Sequence, residues 1–298
     1  MFDYKLIEAF AAVITEQGFE KASLKLNITQ SAISQRIKLL EEQTGQVLIV
    51  RSTPPKATVH GKKLLKHFQM VAHLENELNN DFFYEEKSDF RKISVGVNAD
   101  SLATWFMDIC YSFLDDKKYI IDIRVDDQDE TDKMLKNGEV SGCIGSKKIF
   151  VQGCKTVCLG KMKYRAAASK TFVKKYFKKG FSLNSVEKAP LVLFNRKDRL
   201  HDNFLKMVFD REILNLPSHF IPSSEKFLEF ILKGYAYGIV PEHQAEKFFE
   251  NGSLLQLTEI TFDVPLYWNC WNIKSEIIDD FTKTLLKNTK KELHDIDK

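Results

Sequence analysis

From the N-terminus the apolar residues fall at helical spacing. Leu6, Phe10, Val13 and Ile14 recur at i, i+4, i+7 and i+8, which predicts an amphipathic helix over residues 3–17, capped by Asp3 and stopped by Gly18. A second short helix is expected over Phe19–Leu26, where small Ala22 and Ser23 allow another helix to cross closely. Asn27-Ile28-Thr29 reads as a tight turn, with Thr29 placed to cap a third helix over Gln30–Gln43. In that helix Ile33, Ile37 and Leu40 must face a core, while Gln30, Ser31, Ser34, Gln35 and Lys38 project from the other side. Beyond Gly45, the run Val47–Arg51, a Pro54-Pro55 turn and a return strand to Ala57 read as a two-stranded wing.

Thr58-Val59-His60-Gly61 opens a long helix reaching Glu86. Its apolar residues Leu64, Phe68, Val71, Leu74, Leu78 and Phe82 form a narrow seam on a polar rod, a pattern that calls for a partner helix and predicts a homo-oligomer. From Lys92 the pattern alternates. Strands are expected at Ile93–Val97, Ile120–Val125, Ser141–Gly145, Leu191–Phe194, Phe220–Ile221, Gly238–Val240 and Val264–Trp271. Helices are expected at Leu102–Leu114, Asp129–Lys136, Lys170–Phe177, Leu200–Ile213, Glu225–Lys233 and Ser275–His294. Such alternation predicts a mostly parallel sheet flanked by helices. The fold class expected is α/β multidomain: a winged helix-turn-helix over 1–60, a linker helix over 61–90, and a two-lobed α/β domain over 91–298, of the kind seen in periplasmic binding proteins. Lobe 1 would take about 91–163 plus 265–298, and lobe 2 about 164–264.

Composition changes this picture little, and charge distribution changes it more. With 44% hydrophobic and 29% charged residues over 298 positions, the chain is long enough for a small and a larger core and does not read as disordered. Residues 1–66 carry a net charge of +4, ten Lys or Arg against six Asp or Glu, whereas residues 67–90 carry one Lys against six acids, a net of −5. The positive excess therefore lies where a polyanion would dock on the first domain. No uncharged apolar run is long enough to span a membrane and the N-terminus lacks the pattern of a signal peptide, so a cytoplasmic protein is expected. Five cysteines, an odd number without a C-x-x-C pair, read as reduced structural thiols.

A helix, a tight turn, a polar-faced helix and a wing together make a device that lays the third helix in the major groove of double-stranded DNA while the wing follows the backbone. Gln pairs bidentately with adenine and Ser is compact and adaptable, so Gln30, Ser31, Ser34 and Gln35 are the base-edge candidates. Arg36, Lys38, Arg51 and Lys56 are candidate phosphate neutralisers. A merely solvated helix face is the commoner fate of such residues. Here the small-residue second helix, the capped third helix, the local basic excess and the wing coincide.

These segments resemble the signature of LysR-type transcriptional regulators: Phe19-Glu20-Lys21-Ala22-Ser23-Leu24-Lys25-Leu26, then Ile28 through Glu41, then Gly45, Leu48, Arg51 and Thr58-Val59-His60-Gly61. Similarity continues through Val50–Lys56, Val97–Trp105, Ser223-Ser224-Glu225 and Leu266-Tyr267-Trp268, and is weak over Gly145–Met162. The resemblance implies a dimer or tetramer assembled through linker helices and effector domains. Within the family it is to a branch that senses basic amino acids, chiefly lysine and arginine, and controls amino-acid export.

The residues themselves suggest where an effector would sit. At Val97-Asn98-Ala99-Asp100-Ser101 a strand ends and a helix begins, so a ligand carboxylate is expected near Ser101, with Asn98 at the same junction also a candidate effector contact. Ser223, Ser224 and Glu225 would offer a facing helix start from the second lobe. A basic amino acid also needs acceptors for its cationic groups; Asp100, Asp126, Asp127, Asp198 and Glu225 are available, with Asp100 and Asp127 first because they follow two strands of one lobe. Each of these carboxylates alone is more often a solvated cap or loop charge.

Rival classes fare worse. No G-x-S-x-G, H-E-x-x-H, Walker or G-x-G-x-x-G motif appears, so neither an enzyme nor a cofactor is expected. His60, His67 and His73 are spaced seven and six apart, which does not set a metal-ligand pair on one turn; they read as solvated, and no metal is expected. A stand-alone solute-binding protein leaves residues 1–86 unexplained. An architectural or replication-origin DNA protein without effector switching remains the alternative.

Overall fold

The structure is a computed structural model that describes residues 3–82, 90–115, 117–126, 131–149 and 153–295. Helices α1 (Tyr4–Thr15), α2 (Phe19–Leu26) and α3 (Gln30–Thr44) form as their local signals require. The Asp3 side chain accepts from Lys5 N, and Thr29 Oγ1 accepts from Ala32 N. Asn27 and Gly45 end α2 and α3 in the left-handed conformation. Ile7, Phe10, Val13, Ala22, Ile33, Ile37 and Leu40 close one small core between them.

The wing is β1 (Ile49–Val50) paired antiparallel with β2 (Lys56–Ala57). It is fixed to α3 by Glu41, whose Oε1 accepts from the amides of Leu48 at 2.7 Å and Ile49 at 3.3 Å. Helix α4 (Val59–Phe82) begins under a Thr58 cap. Its first turn presses on the wing so closely that a Cβ on Gly61 would stand 2.3 Å from the Leu48 carbonyl oxygen.

The seam on α4 serves more than a partner helix. Leu65 is buried in the winged-helix core, with Leu64 and Phe68 packed against it. Met70 packs instead on a cluster of Leu135, Val140, Cys143, Ile149 and Trp271 in the C-terminal domain. Two of the six expected seam residues, Leu64 and Phe68, are thus spent within the chain, Leu74 is left exposed, and the side chains of Leu78 and Phe82 lie outside the described residues.

The C-terminal domain opens with β3 (Arg91–Asn98), followed by a helical rod: α5 (Ala99–Ser101), a π turn (Leu102–Phe106) and α6 (Met107–Leu114). Then come β4 (Tyr119–Asp126), α7 (Thr131–Lys136), β5 (Gly142–Gly145) and β6 (Cys154–Ser169). The second lobe holds α8 (Lys170–Tyr176), α9 (Leu183–Val186), β7 (Leu191–Leu193), α10 (Leu200–Phe209) and β8 (Ser218–Phe220). It continues with α11 (Ser224–Leu232), β9 (Gly238–Pro241) and α12 (Glu242–Glu250). Strand β10 (Leu254–Trp271) returns to the first lobe and α13 (Glu276–Glu292) packs on it.

The main sheet has the order β4-β3-β5-β10-β6-β9. It corrects the expectation of a mostly parallel sheet: β3 pairs parallel with β4 and β5, but β10 with β5, β10 with β6, and β6 with β9 are all antiparallel. The reason is the long ladder of β6 and β10, which run side by side between the lobes. The register shifts between Gln256 and Thr261 and again between Leu266 and Tyr267. A bulge of this kind bends and re-aims a strand.

Cys110, Cys143 and Cys270 are buried among apolar side chains and none of the five cysteines is in a disulfide. Burial pushes the Cys110 thiol up to about 12 and the Cys270 thiol up to about 11, and raises Cys143 as well, so these are packing groups rather than nucleophiles. Among the described residues no helix is long and apolar enough to cross a membrane.

Candidate DNA-reading face and effector cleft

The outward arc of α3 carries Gln30, Ser31, Ser34, Gln35 and Lys38, all exposed, opposite buried Ile33, Ile37 and Leu40. Ser31 Oγ lies 3.0 Å from Thr29 Oγ1, so the cap residue also steadies the first side chain of the arc. Lys38 shares its charge with Glu42 one turn on, at 3.8 Å, both groups being solvent-exposed. Arg36 is half-buried and, at about 100° per residue, sits on the flank of the helix rather than on the arc. Arg51 and Lys56 are exposed on the wing. His60 is exposed near the start of α4, and exposed His67 pairs with the Tyr4 hydroxyl at 2.8 Å, a contact between α4 and α1 that its spacing did not announce. The His73 side chain lies outside the described residues.

Between the lobes is a cavity of about 300 Å3. It is lined by Asn98, Asp100 and Asp126 from the first lobe, Asp198, Ser224 and Gln244 from the second, and the β10 stretch Phe262–Pro265. This is the size of a small-ligand site. One lining residue is unusual: Asn98 is 2% exposed, yet neither its side-chain oxygen nor its nitrogen has a partner. Ser101, three residues on and just behind the lining, is 0% exposed and its hydroxyl has no partner either. Buried polar groups are normally satisfied, so three unpaired atoms at the start of the α5–α6 rod single this end of the cleft out.

Asp100 does something different from what its position after a strand suggests. Its Oδ1 accepts from Ser224 Oγ at 2.8 Å and its Oδ2 from the Tyr164 hydroxyl at 3.0 Å. It is thus a clasp between the rod of the first lobe and α11 of the second. Ser224 also lies 3.4 Å from Gln244 Oε1.

The other sequence candidates scatter. Ser223 caps α11 by accepting from Lys226 N, and Glu225 is exposed and outside the cavity lining. Asp198 lines the cavity, but its oxygens accept from the amides of Phe194 and Leu200, so it holds its own loop. Asp127 lies outside the described residues, while its neighbour Asp126 lines the cleft. Ser146, Lys147, Phe194, Asn203, Gln244 and Phe262 line it without having been expected. Gln244 belongs to α12, a helix the periodicity did not pick out, although Ala245, Phe248 and Phe249 carry its i, i+3, i+4 signal.

Comparison with known proteins agrees with this geometry. Residues 4–62 match the bacterial regulatory helix-turn-helix proteins of the lysR family. The chain is 38% identical over 291 residues to the HTH-type transcriptional regulator ArgP of Pseudomonas fluorescens, covering 97% of each chain. Its fold is similar to the crystal structure of ArgP from Mycobacterium tuberculosis, with a TM-score of 0.89, 36% identity and 100% of both chains covered. It is also similar to full-length LysG from Corynebacterium glutamicum with bound effector Arg, with a TM-score of 0.78, 28% identity, and 98% of this chain and 100% of that chain covered. The chain belongs to the LysR family of bacterial helix-turn-helix proteins and is a DNA-binding transcription regulator, not an enzyme.

Proposed function

We propose that this regulator works as a cytoplasmic homo-oligomer that takes a basic amino acid, lysine or arginine, into the cleft between its lobes and thereby controls genes of amino-acid export or metabolism. The division of labour follows the sequence: residues 1–60 hold DNA, 61–90 pair with a second copy, and 91–298 bind the effector. One observation carries the reading, namely the buried, unpaired polar atoms of Asn98 and Ser101 at the head of the α5–α6 rod. An effector carboxylate would accept from Asn98 Nδ2 and the Ser101 hydroxyl and be favoured by the positive end of the rod, and the effector's α-ammonium would donate to Asn98 Oδ1. Asp126, with Asp127 next to it in the chain, supplies negative charge for the cationic side chain, and the aromatic faces of Phe194 and Phe262 suit a guanidinium. The relative whose structure holds Arg and the ArgP relatives are consistent with this class of effector. Asp100 and Ser224 act as the clasp that such a ligand tightens, while Ser223 and Glu225 serve the α11 start.

On the DNA side Gln30, Ser31, Ser34 and Gln35 read base edges and Arg36, Lys38, Arg51 and Lys56 neutralise phosphates. The test is a pair of measurements on the full chain. L-arginine at 100 times its dissociation constant raises unfolding stability by about 2.7 kcal/mol, and Ser101→Ala weakens that binding. Affinity for promoter duplex falls with salt, and replacing Arg51 by Ala lowers the log–log slope by about 0.9. A bounded footprint that changes with arginine is expected. Broad coverage that ignores every amino acid would instead mean an architectural binder.

A further inference from the structure

A second cavity, of about 270 Å3, shares no lining residue with the cleft. It is lined by Trp105 in the π turn, Lys161–Lys163 of β6, Glu242, His243 and Glu246 of α12 and the segment Lys291–His294 at the end of α13. The last segment is held in place by two backbone hydrogen bonds between Lys161 and His294. At about 30 Å3 per water, the space is several times what one solvent molecule fills.

Two buried polar atoms here lack partners. The Trp105 side chain is 1% exposed and its Nε1 has no hydrogen-bond acceptor. Glu242 Oε1 accepts from the Arg165 guanidinium, while its buried Oε2 accepts no hydrogen bond. The nearest basic groups hold back from that oxygen, Lys163 Nζ at 3.9 Å and His294 Nε2 at 3.6 Å, and across the cavity His243 stands 3.9 Å from Glu292. Among the lining residues Lys161, Lys163 and Lys291 balance Glu242, Glu246 and Glu292 in formal charge. The site is therefore neutral but dipolar, with one donor and one acceptor waiting. A lone anion or a lone cation would leave one of them unpaired and upset the charge balance.

We propose that this cavity is a second small-molecule site whose ligand is a small zwitterion bearing an α-amino-acid head group. The ligand's carboxylate accepts from Trp105 Nε1 and the Lys163 ammonium, and its ammonium donates to Glu242 Oε2. The site stands independently of what occupies the cleft, but it is mechanically joined to it. Trp105 lies in the rod that starts at Asn98, and α12 supplies Glu242 and His243 to one cavity and Gln244 to the other. Any change that filling one site makes to affinity at the other is matched by the same factor in the reverse direction.

Glycine, acetate and methylammonium separate zwitterion from anion and cation, and calorimetry on the full-length chain is the readout. In a Ser101→Ala background, which disables the carboxylate end of the cleft, glycine binds once per chain. Adding Trp105→Phe or Glu242→Gln weakens it about tenfold or more. Acetate and methylammonium bind the Ser101→Ala protein correspondingly less well than glycine. Trp105→Phe alone keeps an aromatic ring and removes the unpaired donor; it melts lower than the parent because the smaller ring leaves a gap in the core, but when folded it still binds arginine in the cleft. Glu242→Gln keeps an acceptor for Arg165 and decides the matter should the indole replacement misfold. A silent glycine titration of folded Ser101→Ala protein overturns the proposal, as does equal glycine affinity with and without the second substitution. So does a glycine-soaked crystal with water alone between Trp105 and Glu242, or acetate binding as tightly as glycine.

Discussion

His201 sits fully buried on α10, its Nε2 3.4 Å from the Tyr237 hydroxyl, and burial lowers its pKa to about 3. The unfolded chain protonates that imidazole near its ordinary value of about 6.5. Below that pH the unfolded state binds a proton the folded state refuses, so this residue erodes stability as pH falls from about 6.5 toward about 3, by about 1.4 kcal/mol per pH unit. Above that window it has no effect. Urea unfolding of His201→Gln between pH 7 and pH 5 should show a correspondingly shallower loss of stability than the parent, and an unchanged slope would assign the acid sensitivity to other groups. Gly61 is a steric case. An alanine Cβ there meets the Leu48 carbonyl oxygen at 2.3 Å and Phe10 Cζ at 3.1 Å, and a backbone oxygen has no rotamer by which to withdraw. Gly61→Ala is expected to cost about 1–3 kcal/mol in denaturant unfolding of the winged-helix core.

The elements of the first domain were legible almost to the residue, because each is bounded by a local device: Asp3, Gly18, Thr29 and Gly45 act through contacts within a few positions. Thr29 is the clearest, since its hydroxyl accepts from Ala32 N at 3.2 Å and also engages Ser31. Thr29→Ala should lower stability by about 1 kcal/mol in thermal or urea unfolding. It should also weaken duplex binding in a gel-shift titration, by freeing the first side chain of the reading arc. The C-terminal domain was less legible, for a different reason. Strand β6 passed unread although Lys161, Lys163 and Arg165 point outward while Met162, Tyr164 and Ala166 point in, a clear period of two. Its partner, the first half of β10, lies ninety-odd positions away, so nothing local advertised the pairing. The cleft shows the same division. Asn98 and Ser101 were both candidates because one strand-to-helix junction holds them, and Asn98 lines the cavity. Gln244 and Phe262 reach the cavity only through α12 and the β6–β10 ladder, and Lys147 from the segment that follows β5. At Ser223–Glu225 the correct turn was chosen, but capping consumes Ser223 and the helix sends Ser224, not Glu225, to the clasp.

For the whole molecule to act as a switch, a change in the cleft must reach the DNA-binding face, and contiguous packing is the physical route by which such coupling travels. Helix α4 provides one. Leu64, Leu65 and Phe68 belong to the winged-helix core, and Met70, within the next turn, belongs to the cluster around Trp271 at the end of β10. A close approach lies at Gly138, between α7 and β5, where φ is +76° and an added Cβ would stand 2.4 Å from Lys66 Cα and 2.7 Å from Lys66 Cβ. Both neighbours are fixed to the helix backbone, so Gly138→Ala pushes α4 off the first lobe, and the positive φ adds strain of its own. The winged-helix core contains none of these atoms and keeps its fold. The variant should therefore bind promoter duplex nearly as the parent does in gel-shift titrations and still take up arginine in calorimetry. What it should lose is the change that arginine makes to the footprint, because the two halves no longer share a rigid contact. Were the arginine-dependent footprint to survive intact in a variant whose melting shows the lobe contact disrupted, the signal would have to pass through contacts between copies of the chain rather than through α4 within one.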